Sequence, residues 1–540
     1  MTIGWRGARR AVQLSVLAAF TYTFIQAEYR GLDVVRGWWS AFTSSDPLCL
    51  TAVVAGSRSW PLGLSAWWLL AIAVGLSPPF LARAFCGWVC PLGTLNHAVS
   101  AARERSRIKW AQRTASRYWK YRFVILALVL SFFGVPLAFW FSPLPLLYRS
   151  ATLAVHPAVN LAGQRLSSGL LSWHEATGAE PLYSGYQWLR DSVLSFHQPY
   201  FQHAGLNIVV LLVVLGINVL AFRMWCRSFC PLGGFLGIIG HRSLLRRTIQ
   251  PACNHCAACV KACPADMGAT PEEWNPSECL LCFRCAAACR KQAVEFSWRS
   301  PWRGTLRPVN VPRRDLSVIA IAGIAILAAS RLNRISPAPN GRLIRPPGAL
   351  PEPEFLARCL RCGECMRICP TNAIQPAGLA AGWEGAWTPV IVPETGYCEL
   401  ECNLCSRICP TGALKRVTAG ERKTLKLGTA VIDRGRCLPH AMAIPCLVCE
   451  EHCPVTPKAI WVREKDEILR DGTYVKLGQP IIDPQRCVGC GVCEHKCPVQ
   501  GSPAIYVRSF GETRAPASFF LSEFPAKDGD WGTAHDPYSS

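Results

Sequence analysis

Cys253-Asn254-His255-Cys256-Ala257-Ala258-Cys259-Val260-Lys261-Ala262-Cys263-Pro264 is the stretch that decides how this chain is read. Its thiols stand in the order C-x2-C-x2-C-x3-C-P. That spacing wraps three thiolates around one face of a cubane and sends the fourth to a neighbouring cluster. The pattern returns at Cys359, Cys362, Cys365 and Cys369, and again at Cys487, Cys490, Cys493 and Cys497. Cys279, Cys282, Cys285 and Cys289 keep the spacing, with Arg290 in place of proline. Cys398, Cys402, Cys405 and Cys409 widen the first gap by one residue, and Cys437, Cys446, Cys449 and Cys453 widen it to eight. Of the 29 cysteines, all but Cys49 fall into such compact groups. Six runs of four imply six [4Fe–4S] clusters. Zinc sites use two cysteine pairs on a longer arm, and a disulfide framework belongs to a short secreted chain. Neither fits these groups in a chain of 540 residues.

Working outward, half of the residues are hydrophobic and the mean hydropathy is +0.19, with the apolar residues concentrated before residue 240. The formal charge of +22 is not spread evenly. Arg103, Arg105, Arg107, Lys109, Arg113, Arg117, Lys120 and Arg122 face only Glu104. Basic residues beside apolar segments are the positive-inside signature of a membrane protein. No interleaving of aromatic and basic residues suggests a nucleic-acid partner.

Four segments near Ala11–Ala27, Leu62–Ala82, Phe123–Phe141 and Gly205–Phe222 approach the roughly 20 apolar residues a bilayer span needs. Arg6, Arg9 and Arg10 ahead of the first, and Arg242, Arg246 and Arg247 after the fourth, put both chain ends of this region in the cytoplasm. The first segment lacks a clear cleavage site for a signal peptide. An internal repeat is visible: Cys86-Gly-Trp-Val-Cys90-Pro-Leu-Gly follows the second segment and Cys226-Arg-Ser-Phe-Cys230-Pro-Leu-Gly the fourth. Both halves run in one sense, as in parallel repeats related by an axis along the membrane normal.

The expected fold is an α-helical membrane bundle of four spans in two repeats over residues 1–250. A two-cluster α+β ferredoxin module follows at 251–298. Residues 299–335 form a basic linker and a fifth apolar segment behind Arg313-Arg314, the layout of a twin-arginine export signal or of a plain anchor, with a buried helix of a soluble domain as the third option because the apolar run is short for a span. A Pro- and Gly-rich linker covers 336–350. A four-cluster ferredoxin-like α+β domain spans 351–510, with strand-like pieces such as Ala430-Val-Ile-Asp and Pro480-Ile-Ile-Asp. A tail covers 511–540, small and polar after Pro525.

In residues 251–298 the expected ligation is crosswise: Cys253, Cys256, Cys259 and Cys289 for one cluster, Cys279, Cys282, Cys285 and Cys263 for the other. In 351–510 the pairing is ambiguous, with a leaning to the first run exchanging its fourth cysteine with the last and the middle two with each other. For Cys86, Cys90, Cys226 and Cys230, a spacing of four puts two thiols on one helix face. Repeat symmetry could join all four around iron or a cluster. A redox thiol pair and plain helix packing stay open. His156, His174, His197 and His203 sit in the second outer loop, where a histidine can take a proton from a quinol or ligate haem. No C-x-x-C-H, Walker A or Rossmann fingerprint occurs, and Cys49 has no assigned role.

On these motifs, residues 1–298 resemble the NapH-type membrane quinol dehydrogenase subunit, and 313–510 the exported NapG-type or MauM-type ferredoxin. The resemblance to a fusion of the two implies electron transfer from a membrane quinol pool, through the clusters, to a periplasmic reductase or cytochrome. It implies an inner-membrane, multi-pass protein of anaerobic respiration, with 251–298 cytoplasmic and 351–510 periplasmic. The C-x3-C-P motifs are shared with NosR-like and CcoG-like proteins. That leaves a second reading, an assembly or maturation factor that supplies electrons for loading a partner enzyme's cofactor or metal.

Overall fold

The computed structural model describes all residues except 1, 32, 61–66, 106–118, 193, 196–197, 266–269, 300–312, 336–341, 469–471 and 515–540. His197, the cations from Arg107 to Arg117, residues 300–312 of the basic linker, residues 336–341 of the second linker and most of the tail therefore lie outside the described residues. The chain divides into two compact units. The first comprises Met1–Asn340, Pro346–Val390 and Cys402–Val417; the second comprises Gly341–Arg345, Ile391–Glu401 and Thr418–Ser540.

The four-span membrane bundle is not what forms. Among the described residues, no helix is long and apolar enough to cross a membrane. The reason lies in the breakers. The helix Thr2–Gln26 is long, but Arg6, Arg9 and Arg10 occupy its first turns. In the described part of the second segment a helix runs over Trp68–Leu76 and gives way to a short turn of helix that starts at Pro78 and Pro79. The third stops at Phe132, turns at Gly134 with φ +81°, and resumes at Ala138–Phe141. The fourth runs over Ala204–Gly216 and tightens into a 3₁₀ turn at Ile217–Val219. Thirteen residues rise only about 20 Å, short of the roughly 30 Å of hydrocarbon. The expected fifth span fails likewise. Arg313–Ile335 is one helix, with Asp315 in its first turn bonded to Arg122 at 2.7 Å.

In the first unit these broken helices share one apolar core. Leu48, Val53, Trp68, Ala127, Phe139, Leu144, Val214, Leu232 and Leu236 are buried within it. Two cysteine-rich modules dock on this core, at different points along the Thr2–Gln26 helix. Near the helix start, Gln13 donates to the Gly87 carbonyl at 2.8 Å, and Arg9 reaches the Cys282 carbonyl at 3.5 Å. Near its end, Arg367 donates to the Phe24 carbonyl at 2.8 Å and lies 3.9 Å from the Phe24 ring centre. Arg9 and Phe24 are separated by about 22 Å of helix rise.

Residues 245–298 form the first module, closed by the antiparallel pair Leu245–Ile249 and Val294–Trp298. Its anchor is Glu278, which is buried. It accepts from Arg83 at 2.9 Å, from Tyr121 at 2.6 Å and from Lys120. Burial alone would raise the Glu278 carboxyl, but Lys120 and Arg83 hold it below its ordinary value. Lys120 and Arg122, read from the sequence as part of a free basic run, are thus docking residues, one for the module and one for the Arg313–Ile335 helix. The second module, within 346–417, sits through Trp68 Nε1 on the Pro410 carbonyl at 2.9 Å, through Thr43 on Glu364, and through Arg358 on Ser59 at 2.7 Å.

The second unit is built on two antiparallel pairs, Ile460–Ile468 with Tyr474–Ile482 and Thr429–Ile432 with Ile505–Arg508. The strands expected around Ala430 and Pro480 are both present.

Removing one partner of a buried ion pair leaves the other charge uncompensated, which costs about 3–5 kcal/mol. Glu278→Gln is therefore expected to lower the unfolding free energy of the full chain by an amount in that range, and with it the midpoint of a denaturant titration. It should also expose the 251–298 module to protease. An unchanged midpoint would mean the module is held elsewhere.

Candidate iron–sulfur sites

Four of the cysteine runs turn through a left-handed residue just ahead of the third cysteine, at Gly363, Gly491, Phe283 and Ala257, whereas Asn403 and Leu447 in the two widened runs do not. The turn folds the thiols back toward a common centre, and a one-turn helix follows. Four cavities result. One is lined by Cys279, Cys282 and Cys285 together with Cys263, the crosswise set expected for the first module. Phe283, Phe296 and Trp274 close it against water. In the second module a cavity is lined by Cys359, Cys362 and Cys365 with Cys409.

The other two cavities lie in the second unit. Cys487, Cys490 and Cys493 share one with Cys453, and Cys437, Cys446 and Cys449 share the other with Cys497. This overturns the leaning in which the first run exchanges with the last. Exchange is between sequence neighbours: Cys409 joins Cys359, Cys362 and Cys365, while Cys453 and Cys497 are traded between the last two runs.

The remaining triads are more open. Cys256 is exposed and Cys253 half-buried, while Cys259 and Cys289 join one apolar cluster with Ile249 and Val294. Cys402 packs with Cys365, Ile368 and Leu404 in the first unit. Cys398 belongs to the second unit, where Arg422 donates to its sulfur at 3.2 Å. The Cys369 sulfur lies 3.6 Å from the Thr371 hydroxyl.

The lining fits a cluster chemically. Backbone N–H groups point at sulfur: Ala430 at Cys487 (3.4 Å), Ala504 at Cys497 (3.4 Å), Leu414 at Cys409 (3.5 Å) and Ala293 at Cys289 (3.3 Å). Such bonds stabilise negative charge on cluster-bound sulfur and tune its potential. Burial pushes the free thiols of Cys285, Cys449 and Cys490 up to about 12. Metal binding releases those protons. Among the described residues, no group of three or more Cys, His, Asp or Glu is tight enough for a single metal ion. When bound, cubanes here would supply one-electron transfer.

The C-x3-C-P cysteines do not share one helix face, as the spacing suggested. Cys86 lies in the turn Ala84–Trp88 and Cys226 in the wide turn Trp225–Phe229. Cys90 and Cys230 each precede a proline, which disfavours helix at that position. Both sulfurs cap the next helix instead, accepting from Gly93 N–H and Gly233 N–H at 3.4 Å. All four thiols are buried in the same core. Burial pushes Cys86, Cys90 and Cys230 upward, with further upward push from their neighbours in the set.

Sequence reasoning missed the groups around them. Arg83 donates to the Cys226 carbonyl at 2.9 Å, Arg223 to the Cys86 carbonyl at 2.7 Å, and Asn96 to the Cys226 sulfur at 3.4 Å. The signal was available: each arginine stands three residues before the first cysteine of its repeat.

Among the histidines, His156 is enclosed. Its Nε2 is 2.9 Å from Ser195 Oγ and 3.7 Å from Glu28. Burial, helped by Arg367, holds its ring down to about 3, so it is neutral at physiological pH. His174 ties back to the Ala179 carbonyl at 3.1 Å, and His203 packs against Gly378. Cys49 is buried in the first turn of the helix that Asp46 caps.

Comparison with known proteins agrees with this chemistry. One 4Fe-4S binding domain model matches twice, at residues 60–109 and 204–250, the two halves that carry the C-x3-C-P motifs. A 4Fe-4S dicluster domain matches 352–414, and a further 4Fe-4S binding domain matches 480–500. The chain is 27% identical to the ferredoxin-type protein NapH of Haemophilus influenzae, over 54% of this chain and 88% of that protein. It is 35% identical to the ferredoxin-type protein NapG of Escherichia coli K12, over 34% of this chain and 78% of the relative. It is 33% identical to the methylamine utilization ferredoxin-type protein MauM of Methylophilus methylotrophus, over 32% and 70%. No solved structure matches.

The cavities make the exchange testable. Cys453→Ser is expected to perturb the same EPR component as Cys490→Ser and to spare the one perturbed by Cys446→Ser. The reverse pattern would place Cys453 on its own run's cluster.

Proposed function

Taking as premise that this chain belongs to the ferredoxin-type family of NapG and MauM, with a NapH-like half joined to it, we propose that it moves electrons from a membrane quinol, through six [4Fe–4S] clusters, to a periplasmic acceptor such as a terminal reductase or cytochrome. The observation that carries this reading is the single apolar core of the first unit. It runs from Leu280 and Cys282 in one cysteine-rich module to Leu360 and Cys362 in the other. A redox protein needs its centres shielded from water and held rigidly, and one shared core does both.

Quinol oxidation releases protons, so a donor site needs a proton acceptor. His156 is the candidate among the described histidines, neutral and so open to a proton, with burial and Arg367 opposing its protonation. Ser195 fixes its ring, and Glu28 stands where it can stabilise an imidazolium as it forms. Glu28 also pairs with Arg367 at 3.3 Å, two residues from Cys365 and from Cys369. The proton-accepting group and the cluster loop are thus held by the same contacts.

The proposed location is the bacterial inner membrane, with residues 251–298 toward the cytoplasm and 351–510 toward the periplasm. The exposed apolar side chains Leu69, Leu76, Leu206, Val209 and Leu212 support it, since they offer a lipid-soluble quinol a surface.

Removal of a general acid–base group typically slows a reaction by about 100-fold or more. His156→Gln is expected to slow quinol-driven reduction of the clusters by about 100-fold, with dithionite reduction unaffected, followed by anaerobic stopped-flow absorbance. An unaltered quinol rate would remove His156 from the path.

A further inference from the structure

We infer that Arg83 and Arg223 are an exchanged pair of counter-cations for an anionic iron–sulfur centre held by Cys86, Cys90, Cys226 and Cys230. The argument begins with the repeat. Each half reads Arg-x2-Cys-x3-Cys-Pro-Leu-Gly, from Arg83 to Gly93 and from Arg223 to Gly233. In the folded chain each arginine crosses to the other half. Arg83 bonds the Cys226 carbonyl and Arg223 bonds the Cys86 carbonyl. The glycine ending each motif makes room for the crossing. A Cβ at Gly93 would meet the Arg223 guanidinium, and one at Gly233 would meet that of Arg83. The exchange thus fixes the two thiol pairs against each other.

The charges call for an anion. Arg83 and Arg223 are 1% and 2% exposed, and among the described residues the Nε of each has no hydrogen-bond partner. Arg83 shares Glu278 with Lys120. Among the described residues, the Arg223 side chain meets the Cys86 carbonyl and lies 3.7 Å from the Cys226 sulfur, while its backbone N–H bonds Ser100 and its carbonyl accepts from Arg227 N–H. A buried guanidinium with no carboxylate is costly unless another anion neutralises it. Four thiolates around a cluster core of charge 2+ leave about two negative charges, which two guanidiniums cancel. Asn96, fully buried, adds a donor to the Cys226 sulfur, and Gly93 and Gly233 donate to Cys90 and Cys230. The set is a built cradle for sulfur-borne negative charge.

The placement gives the centre a neighbour. The Arg83 backbone N–H donates to the Cys279 carbonyl at 3.0 Å, and Trp88 Nε1 to the Leu281 carbonyl at 2.9 Å. A Cβ at Gly87 would strike the Leu280 carbonyl. The segment carrying Cys86 therefore lies directly on the loop carrying Cys279 and Cys282.

The test uses the full chain prepared anaerobically, with iron and acid-labile sulfide analysis and an EPR-monitored dithionite titration. Its readout does not depend on whether quinol is the donor. Cys226→Ser is expected to lose one centre's iron and sulfide together with one EPR component, while the components perturbed by Cys282→Ser and Cys362→Ser persist. Arg223→Gln is expected to keep that iron and to shift that one component's midpoint potential negative, because a cation that favours the reduced form is gone. Arg223→Lys keeps the charge and should leave the potential near that of the wild type, which also guards against a Gln variant that fails to fold. If Cys226→Ser leaves iron, sulfide and every EPR component unchanged, the thiols are packing residues and the inference is overturned. If Arg223→Gln binds iron with no shift in potential, the arginines only brace the fold and the counter-cation role is overturned.

Discussion

Buried cations organise the first unit. Lys120, Arg83, Arg149, Arg223 and Arg361 are each at most 2% exposed. A charge removed from water must find acceptors. Some come from the helical body, where Arg149 donates to Asn207 and to the Trp140 carbonyl, and others pass between body and cysteine-rich modules. Lys120 and Arg83 find Glu278, and Arg367 takes the Phe24 carbonyl while belonging to a cysteine run itself. Arg361 bonds the Ala386 carbonyl at 3.1 Å, and Arg149 lies 4.4 Å from the Trp387 ring centre. Docking a module therefore solves part of the solvation problem of the body, and the body shields the module's thiols.

The same constraint explains what the sequence showed and what it hid. The cysteine runs, the crosswise set of the first module and the repeat around Cys86 and Cys226 were legible, because short-range spacing dictates them. The strands near Ala430 and Pro480 were legible from their β-branched residues. Exchange of Cys409 and Cys453 with their sequence neighbours was not, since spacing alone is the same for either partner. Hydropathy misled where Pro78, Gly134 and the 3₁₀ turn at Ile217–Val219 interrupt apolar runs. Lys120 read as one more cation in a basic stretch, because its partner Glu278 lies 158 residues away.

The account rests on one core carrying redox groups from the Cys282 loop to the Cys362 loop. The most direct measurement is an anaerobic titration of the full chain with a reduced quinol, followed by EPR. The account predicts that the components lost in Cys282→Ser and those lost in Cys362→Ser both become reduced as quinol is added. Reduction of both by dithionite but of neither by quinol would contradict it.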